Sequence, residues 1–149
     1  KNYEHVKLFL IGPDEEGIES KISDFLKHKN VIRIDYVSNP QEILNIADVL
    51  VLPSYREGFG TIVIEAAAMG TPCIASDIYG LKDAVVENET GLLHKVKDVS
   101  DMVAKYEYMI KNKVKIQEYG QNAKDRIYND FRDELLSNEL KNYIDKLIN

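Results

Sequence analysis

The sequence predicts an α/β fold, namely a Rossmann-like doubly wound parallel sheet with a helical C-terminal tail. Four short apolar runs are rich in β-branched residues and show little polar alternation: residues 6–12, 31–37, 48–54 and 72–76. Such runs are typical of strands buried on both faces. Helical patterns lie between them, at residues 15–29 and 40–47. Strands that alternate with helices predict right-handed crossovers and helices on both faces of the sheet.

Helices dominate the second half of the sequence. Residues 61–69 form an apolar helical pattern, and beyond residue 91 the strand signal weakens to the short run GLLH. The remainder predicts helices at residues 99–112, 114–129 and 131–148. Gly120 costs about 1 kcal/mol relative to alanine inside a helix, so we expect the middle helix to break or fray at that residue.

Length and charge restrict the classes of function. The chain has 149 residues, a net charge of -6 and a pI near 5.1, and its length fits one domain. The basic surface that nucleic-acid binding requires is missing, so we expect no nucleic-acid partner. No apolar stretch approaches the roughly 20 residues that cross a bilayer, so we expect no direct membrane insertion by this domain.

The cysteine and histidine content predicts neither a disulfide nor a metal site. Cys73 is the single cysteine and lies in an apolar run, which favours a packed core thiol over a nucleophile and indicates a reducing compartment. The three histidines are scattered, without the short spacing of a zinc site: His5, His28 and His94. We therefore expect no metal and a cytoplasmic location.

The segment after the third predicted strand is the candidate functional site. In doubly wound sheets, ligands bind beyond the carboxyl ends of the strands, and Ser54–Gly60 follows such an end. Gly58 and Gly60 let backbone N–H groups approach a ligand closely. The helix predicted at Thr61–Met69 offers its unpaired N–H groups and positive dipole to an anion. The sequence therefore predicts a phosphate site at Gly58, Phe59, Gly60 and Thr61.

Two glutamates flank this turn. Glu65 lies one turn inside the predicted helix, where its carboxylate could accept hydrogen bonds from the hydroxyls of a ribose, and Glu57 could do the same for a second sugar. The alternative is that Glu57 favours the helix N-terminus and Glu65 is solvated. The neighbours of Glu65 are apolar or small, so we expect it to be largely packed, and a buried carboxylate needs partners.

The motifs around this turn resemble the C-terminal, donor-binding half of GT-B glycosyltransferases, and within them the retaining family 4 enzymes, or glycosyl transferases group 1. The matching residues are Pro53, Ser54, Glu57–Gly60, Glu65, Ala66, Gly70, Pro72, Ala75–Asp77, Gly80 and Thr90–Leu93. The resemblance covers nearly the whole chain. It implies one half of a GT-B fold over residues 1–149, with an N-terminal acceptor domain of the same enzyme expected outside this chain.

The resemblance also implies roles for individual residues. Glu57 would be catalytic and bind the donor sugar, the turn Gly58, Phe59, Gly60 would meet the sugar and diphosphate, and Glu65 would bind the nucleotide ribose. Ser54 and Thr61 complete the donor-binding set. The implied substrate is a nucleotide sugar such as a UDP-sugar or GDP-sugar, with no cofactor and no metal.

What the resemblance implies for the whole enzyme is transfer of the sugar to a glycan, lipid-linked or other acceptor, as in polysaccharide biosynthesis. The full-length enzyme would be cytoplasmic and peripherally associated with the inner membrane. This chain alone is expected to be inactive. The sequence departs from the family pattern at Tyr79, which replaces a glycine, and at Asp83, which replaces a glutamate.

Two other readings stay open at this point. A sugar-nucleotide epimerase has the same two-domain architecture, although its catalytic carboxylates and histidine have no match here. A non-enzymatic receiver-like signalling module would need an acidic cluster, which Asp14, Glu15 and Glu16 imitate. A solvated helix start is the simpler interpretation of those three acids. The receiver module would also need an acceptor aspartate where the third strand ends in Pro53 and Ser54.

Overall fold

The computed structural model describes residues 3–131 and residues 141, 143, 145 and 146. The chain divides into two units, Lys1–Pro40 and Gln41–Asn149. Each unit contains a parallel sheet with helices that connect its strands. The predicted α/β class is confirmed. The helix expected at residues 131–148 lies largely outside the described residues.

The first unit contains a two-stranded parallel sheet. Strand β1 (Leu8–Ile11) pairs with β2 (Val31–Ile34), and the connection holds a short 3-10 helix (Glu19–Ile22) and α1 (Ser23–Leu26). The helix predicted over residues 15–29 is therefore shorter than expected. Gly17 has a left-handed conformation, with φ 65°, so a helix cannot run through it and the helical residues begin after it.

The acidic start of this connection is a solvated turn, as the simpler interpretation held. The two carboxylate oxygens of Asp14 accept hydrogen bonds from the backbone N–H groups of Ile18 and Glu19, at 2.8 and 2.9 Å. These bonds, that from Glu19 first, hold the pKa of Asp14 below its usual range. The Asp14 carboxylate is thus occupied by its own backbone.

The second unit contains a three-stranded parallel sheet in the order β3-β4-β5. The elements follow one another as α2 (Pro40–Leu44), β3 (Leu50–Leu52), α3 (Thr61–Met69), β4 (Cys73–Ser76), α4 (Tyr79–Lys82), β5 (Gly91–His94), α5 (Val99–Lys111) and α6 (Lys113–Asp130). The weak signal GLLH is therefore a full strand. Its pairing with the buried β4 compensates for its low local propensity.

Strand β4 lies at the centre of this sheet and is buried along its whole length. Its side chains alternate between two apolar clusters. Cys73 and Ala75 pack with Val63 of α3 and Leu81 of α4, whereas Ile74 packs with a second cluster formed by β5, α5 and α6. Helices therefore cover both faces of the sheet, which is the doubly wound arrangement that the continuous apolar run predicts.

Cys73 is a core thiol, as predicted. Only 2% of its surface is exposed, and burial raises the pKa of the thiol. A raised pKa keeps the group protonated at neutral pH, so it lacks the thiolate character of a nucleophile.

The prediction that the long helix breaks at Gly120 is wrong. Helix α6 runs unbroken from Lys113 to Asp130, and Gly120 is buried at the point where α6 crosses the end of α3. A Cβ at residue 120 would collide with the backbone carbonyl oxygen of Gly70. Close packing of two backbones therefore explains this glycine, and the packing outweighs its poor helix propensity.

We expect Gly120→Ala to destabilise the protein by about 1 to 2 kcal/mol. Overpacking typically costs about 1 to 3 kcal/mol, and the better helix propensity of alanine returns less than about 1 kcal/mol. Chemical denaturation would measure the change, with Gln117→Ala on the exposed face of the same helix as the control. A stability gain in Gly120→Ala would mean that the backbones separate at no cost.

Candidate functional site

The loop Pro53–Gly60 connects the carboxyl end of β3 to the N-terminus of α3, as the sequence predicts. It ends at Gly60, which adopts a left-handed conformation with φ 66° and ψ 54° and is the N-cap of α3. A Cβ at this residue would overlap the Leu81 side chain. Glycine suits this position best, because it adopts a positive φ at little cost and has no side chain that would clash. Gly60 therefore fixes the direction in which the N–H groups of Thr61 and the first turn of α3 point.

Helix α4 supports the same loop from a second direction. Gly80, the second residue of α4, lies so close to the loop that a Cβ there would collide with the carbonyl oxygens of Glu57 and Gly58. The two carbonyl groups therefore face α4, and the loop backbone cannot shift toward it. Gly80 is one of the residues that match the family pattern, but the sequence does not indicate which residues Gly80 contacts.

Glu57 is held by Ser54 at the start of the loop. The Ser54 hydroxyl donates a hydrogen bond to Oε1 of Glu57 at 2.8 Å, and the Glu57 side chain is half-buried. A carboxylate accepts about four hydrogen bonds, so this contact orients the group and leaves it able to bind a ligand. The structure thus brings together two predicted site residues.

Glu65 lies on α3, four residues after Thr61. It is half-buried rather than largely packed, so that expectation is wrong: the buried face of α3 is formed by Val63, Ala66 and Ala67. Within the described residues it contacts Gln41 of α2, whose Nε2 donates to Oε2 of Glu65 at a long 3.4 Å. Sequence reasoning missed Gln41, because a contact between residues 24 positions apart leaves no local pattern.

Phe59, at the tip of the loop, stays 42% exposed. Its ring contacts that of Phe131, with centroids 5.9 Å apart and planes at 45°. Phe131 follows α6 directly and is a second residue that sequence reasoning missed. One end of the long C-terminal helix thus touches the predicted donor loop.

The two departures from the family pattern both lie on α4. Tyr79 begins the helix and is 88% exposed, and Asp83 is its C-cap residue, also exposed. The Tyr79 ring therefore projects into solvent beside Gly80. The carboxyl end of α4 is bound through the Asp83 carbonyl oxygen, which accepts a hydrogen bond from Arg126 at 2.7 Å.

The described part of the chain contains neither a cluster of metal ligands nor a membrane-spanning helix. In residues 3–131 and the four helical positions after them, no group of three or more histidine, cysteine, aspartate or glutamate side chains could hold a metal ion. Over the same residues, no helix is long and apolar enough to cross a membrane.

A parallel α/β unit whose glycine-containing loop joins a strand end to a helix N-terminus is found in GT-B glycosyltransferases, and solved structures of that class superpose on this chain. The crystal structure of TarM matches 94% of this chain and 29% of its own with a TM-score of 0.83 and 29% identity. Sucrose-phosphate synthase from Thermosynechococcus elongatus matches 95% of this chain and 38% of its own, also with a TM-score of 0.83, at 27% identity.

The chain belongs to the family Glycosyl transferases group 1, whose model matches residues 1–126. Among curated relatives, it is 34% identical over 140 residues to the capsular polysaccharide biosynthesis glycosyltransferase CapM of Staphylococcus aureus, which aligns with 92% of this chain. It is 39% identical over 101 residues, 68% of this chain, to trehalose synthase of Thermococcus litoralis. This chain spans 37% and 23% of the lengths of those two relatives.

Proposed function

We propose that this chain is the nucleotide-sugar-binding domain of a retaining glycosyltransferase. The observation that carries the proposal is the arrangement of Ser54, Glu57 and Gly60. A serine-oriented carboxylate precedes a left-handed glycine that opens a nine-residue helix. The loop therefore offers an acceptor for sugar hydroxyls beside N–H groups for phosphate.

The chemistry follows from where charge develops. When the bond between sugar and diphosphate breaks, negative charge accumulates on the leaving phosphate. Oriented backbone N–H groups at Gly60 and Thr61 would stabilise that charge without reorganising, which is the main advantage of a preformed site. Glu57 would bind the sugar that carries the complementary positive charge, and Glu65 would bind the ribose.

A relative supports the choice of nucleotide in the donor. A mutant of S. aureus TarM, 29% identical to this chain over 92% of it, was crystallised with UDP, fondaparinux and alpha-GlcNAc-glycerol. We therefore propose a UDP-sugar as the first donor to test, with a GDP-sugar as the alternative.

An acceptor-binding domain of the same enzyme would complete the active site. This chain spans 37% of CapM and 23% of the trehalose synthase, so both relatives are long enough to contain a further domain. The diphosphate would then meet cationic side chains of the complete protein rather than a metal ion. On this proposal the 149-residue chain binds its donor weakly and does not transfer the sugar.

Titration calorimetry of the 149-residue chain tests the proposal. UDP, GDP, UDP-glucose and GDP-mannose would be compared, with UMP as the control ligand that lacks the second phosphate. We expect weak, saturable binding of one nucleoside diphosphate, weaker binding of UMP, and no sugar released or transferred. The proposal would be wrong if no member of the panel bound, or if the chain alone turned over a nucleotide sugar.

A further inference from the structure

The C-terminal end of α6 carries two side chains that reach the candidate loop along separate routes. On the first route, Cζ of Arg126 lies 5.4 Å from the centroid of the Phe131 ring, and the same ring also contacts that of Phe59. Arginine over an aromatic face is an attractive cation–π arrangement. Arg126 thus holds Phe131 in the position from which it touches the tip of the loop.

The second route runs through α4. The guanidinium of Arg126 donates to the carbonyl oxygens of Ala84 at 3.0 Å and Asp83 at 2.7 Å. Both carbonyls lie at the carboxyl end of α4, where carbonyl groups have no helical partner and favour a cation. The other end of α4 holds Gly80 against the carbonyl oxygens of Glu57 and Gly58. Arg126 therefore fixes the helix that supports the loop.

The geometry of the Arg126 side chain suits this double role. It is 21% exposed, and a further ion pair with Asp130, at 3.5 Å, keeps it along its own helix. A planar guanidinium donates in two directions and stacks at the same time, which a lysine ammonium cannot do. The loop needs such support because two glycines, Gly58 and Gly60, leave its backbone with more freedom than other residues would.

We propose that Arg126 and Phe131 are positioning residues that hold the loop Glu57–Gly60 in its binding conformation. They act on the loop through Phe59 and through α4, and neither is required to touch the ligand. The proposal rests on the proposed function only for the identity of the ligand. The conformation of the loop can be measured without any ligand.

Amide hydrogen exchange of the free 149-residue chain is the direct test. We expect Phe131→Leu to raise exchange at the end of the loop, measured at the Val63 amide that donates to the carbonyl oxygen of Gly60 at 2.8 Å, about two- to tenfold, the range that corresponds to loss of one aromatic contact. Arg126→Met also removes two hydrogen bonds and should raise this loop exchange at least as much. Exchange in β4 should stay unchanged in both variants. Phe131→Tyr keeps the ring and should behave like the parent, as should Val114→Ala, which shortens a 75% exposed side chain on the same helix.

A double variant tests the route through the rings. If Phe131 acts through Phe59, then Phe131→Leu should have no further effect on loop exchange in a chain that already carries Phe59→Leu. Additive effects in the double variant would mean that the rings act independently, and they would overturn this route. Because both substitutions keep an apolar side chain of similar size, the variants are expected to fold.

The same variants distinguish failure of the proposal from failure of the proposed function. With UDP-glucose as the probe, Phe131→Leu should weaken binding about two- to tenfold while Phe131→Tyr retains it. Unchanged loop exchange, or a uniform rise that includes β4, would overturn the positioning role. If the parent chain bound no UDP-glucose but loop exchange rose as expected, the positioning role would stand and the UDP-sugar assignment would fall.

Discussion

Glu65→Ala should weaken binding of a nucleoside diphosphate by about 1 to 3 kcal/mol, or about 5- to 150-fold, the cost of leaving buried polar groups unpaired. Glu65 lies one turn into α3, beside the helix N-terminus where the phosphates are expected. Within the described residues, the hydrogen bond that its side chain accepts from Gln41 is long. Its carboxylate therefore retains capacity for two ribose hydroxyls. Titration calorimetry with UDP would measure the loss.

The fold should survive this change, since Glu65 is only half-buried. Glu118→Ala on α6 is the matched control, because it removes a glutamate that pairs with Lys115 at 2.8 Å and lies on another element. Equal UDP affinity in the parent and in Glu65→Ala would remove the ribose role and favour a solvated glutamate.

Glu57→Gln should distinguish the role of Glu57 from that of Glu65, because a merely structural role would change the affinity for all ligands alike. If Glu57 faces the sugar, the affinity for UDP should stay nearly unchanged, while the hydrogen bond to the sugar of UDP-glucose loses its charged acceptor. A hydrogen bond to a charged group contributes about 1 to 1.5 kcal/mol more than a neutral one, which corresponds to about 5- to 12-fold weaker binding of UDP-glucose. Glu65→Gln should instead weaken both ligands by similar factors.

In the complete enzyme, Glu57→Gln should lower turnover more than it raises KM, since contacts to the reacting sugar strengthen toward the transition state. Ser54→Ala should share part of this effect, because the Ser54 hydroxyl orients the Glu57 carboxylate. Equal losses for UDP and UDP-glucose in both glutamine variants would mean that the carboxylates support the loop, and the assignment of separate sugars would have to be abandoned.

The strands of the second unit and most of its helices could be predicted from local pattern, but the four-residue helix α4 was not predicted. The run at residues 72–76 is apolar on both faces, and β4 is indeed buried on both faces. The apolar pattern predicted a helix at residues 61–69, and α3 has those bounds. The strand signal was weak for GLLH, which is nevertheless a strand, and the break expected at Gly120 is wrong; in both cases a neighbouring element outweighs local propensity.

For the candidate site, the sequence by itself determined which residues gather around one turn: Ser54, Glu57, Gly60 and Glu65 lie within a dozen positions, so a strand end and a helix start bring them together. Only the tertiary structure decided what surrounds that turn. The contacts of Gly80 with the loop, of Gln41 with Glu65 and of Phe131 with Phe59 join elements far apart along the chain. Such contacts depend on the packing of whole helices, whereas local sequence patterns report only the backbone conformation and the buried face of one element at a time.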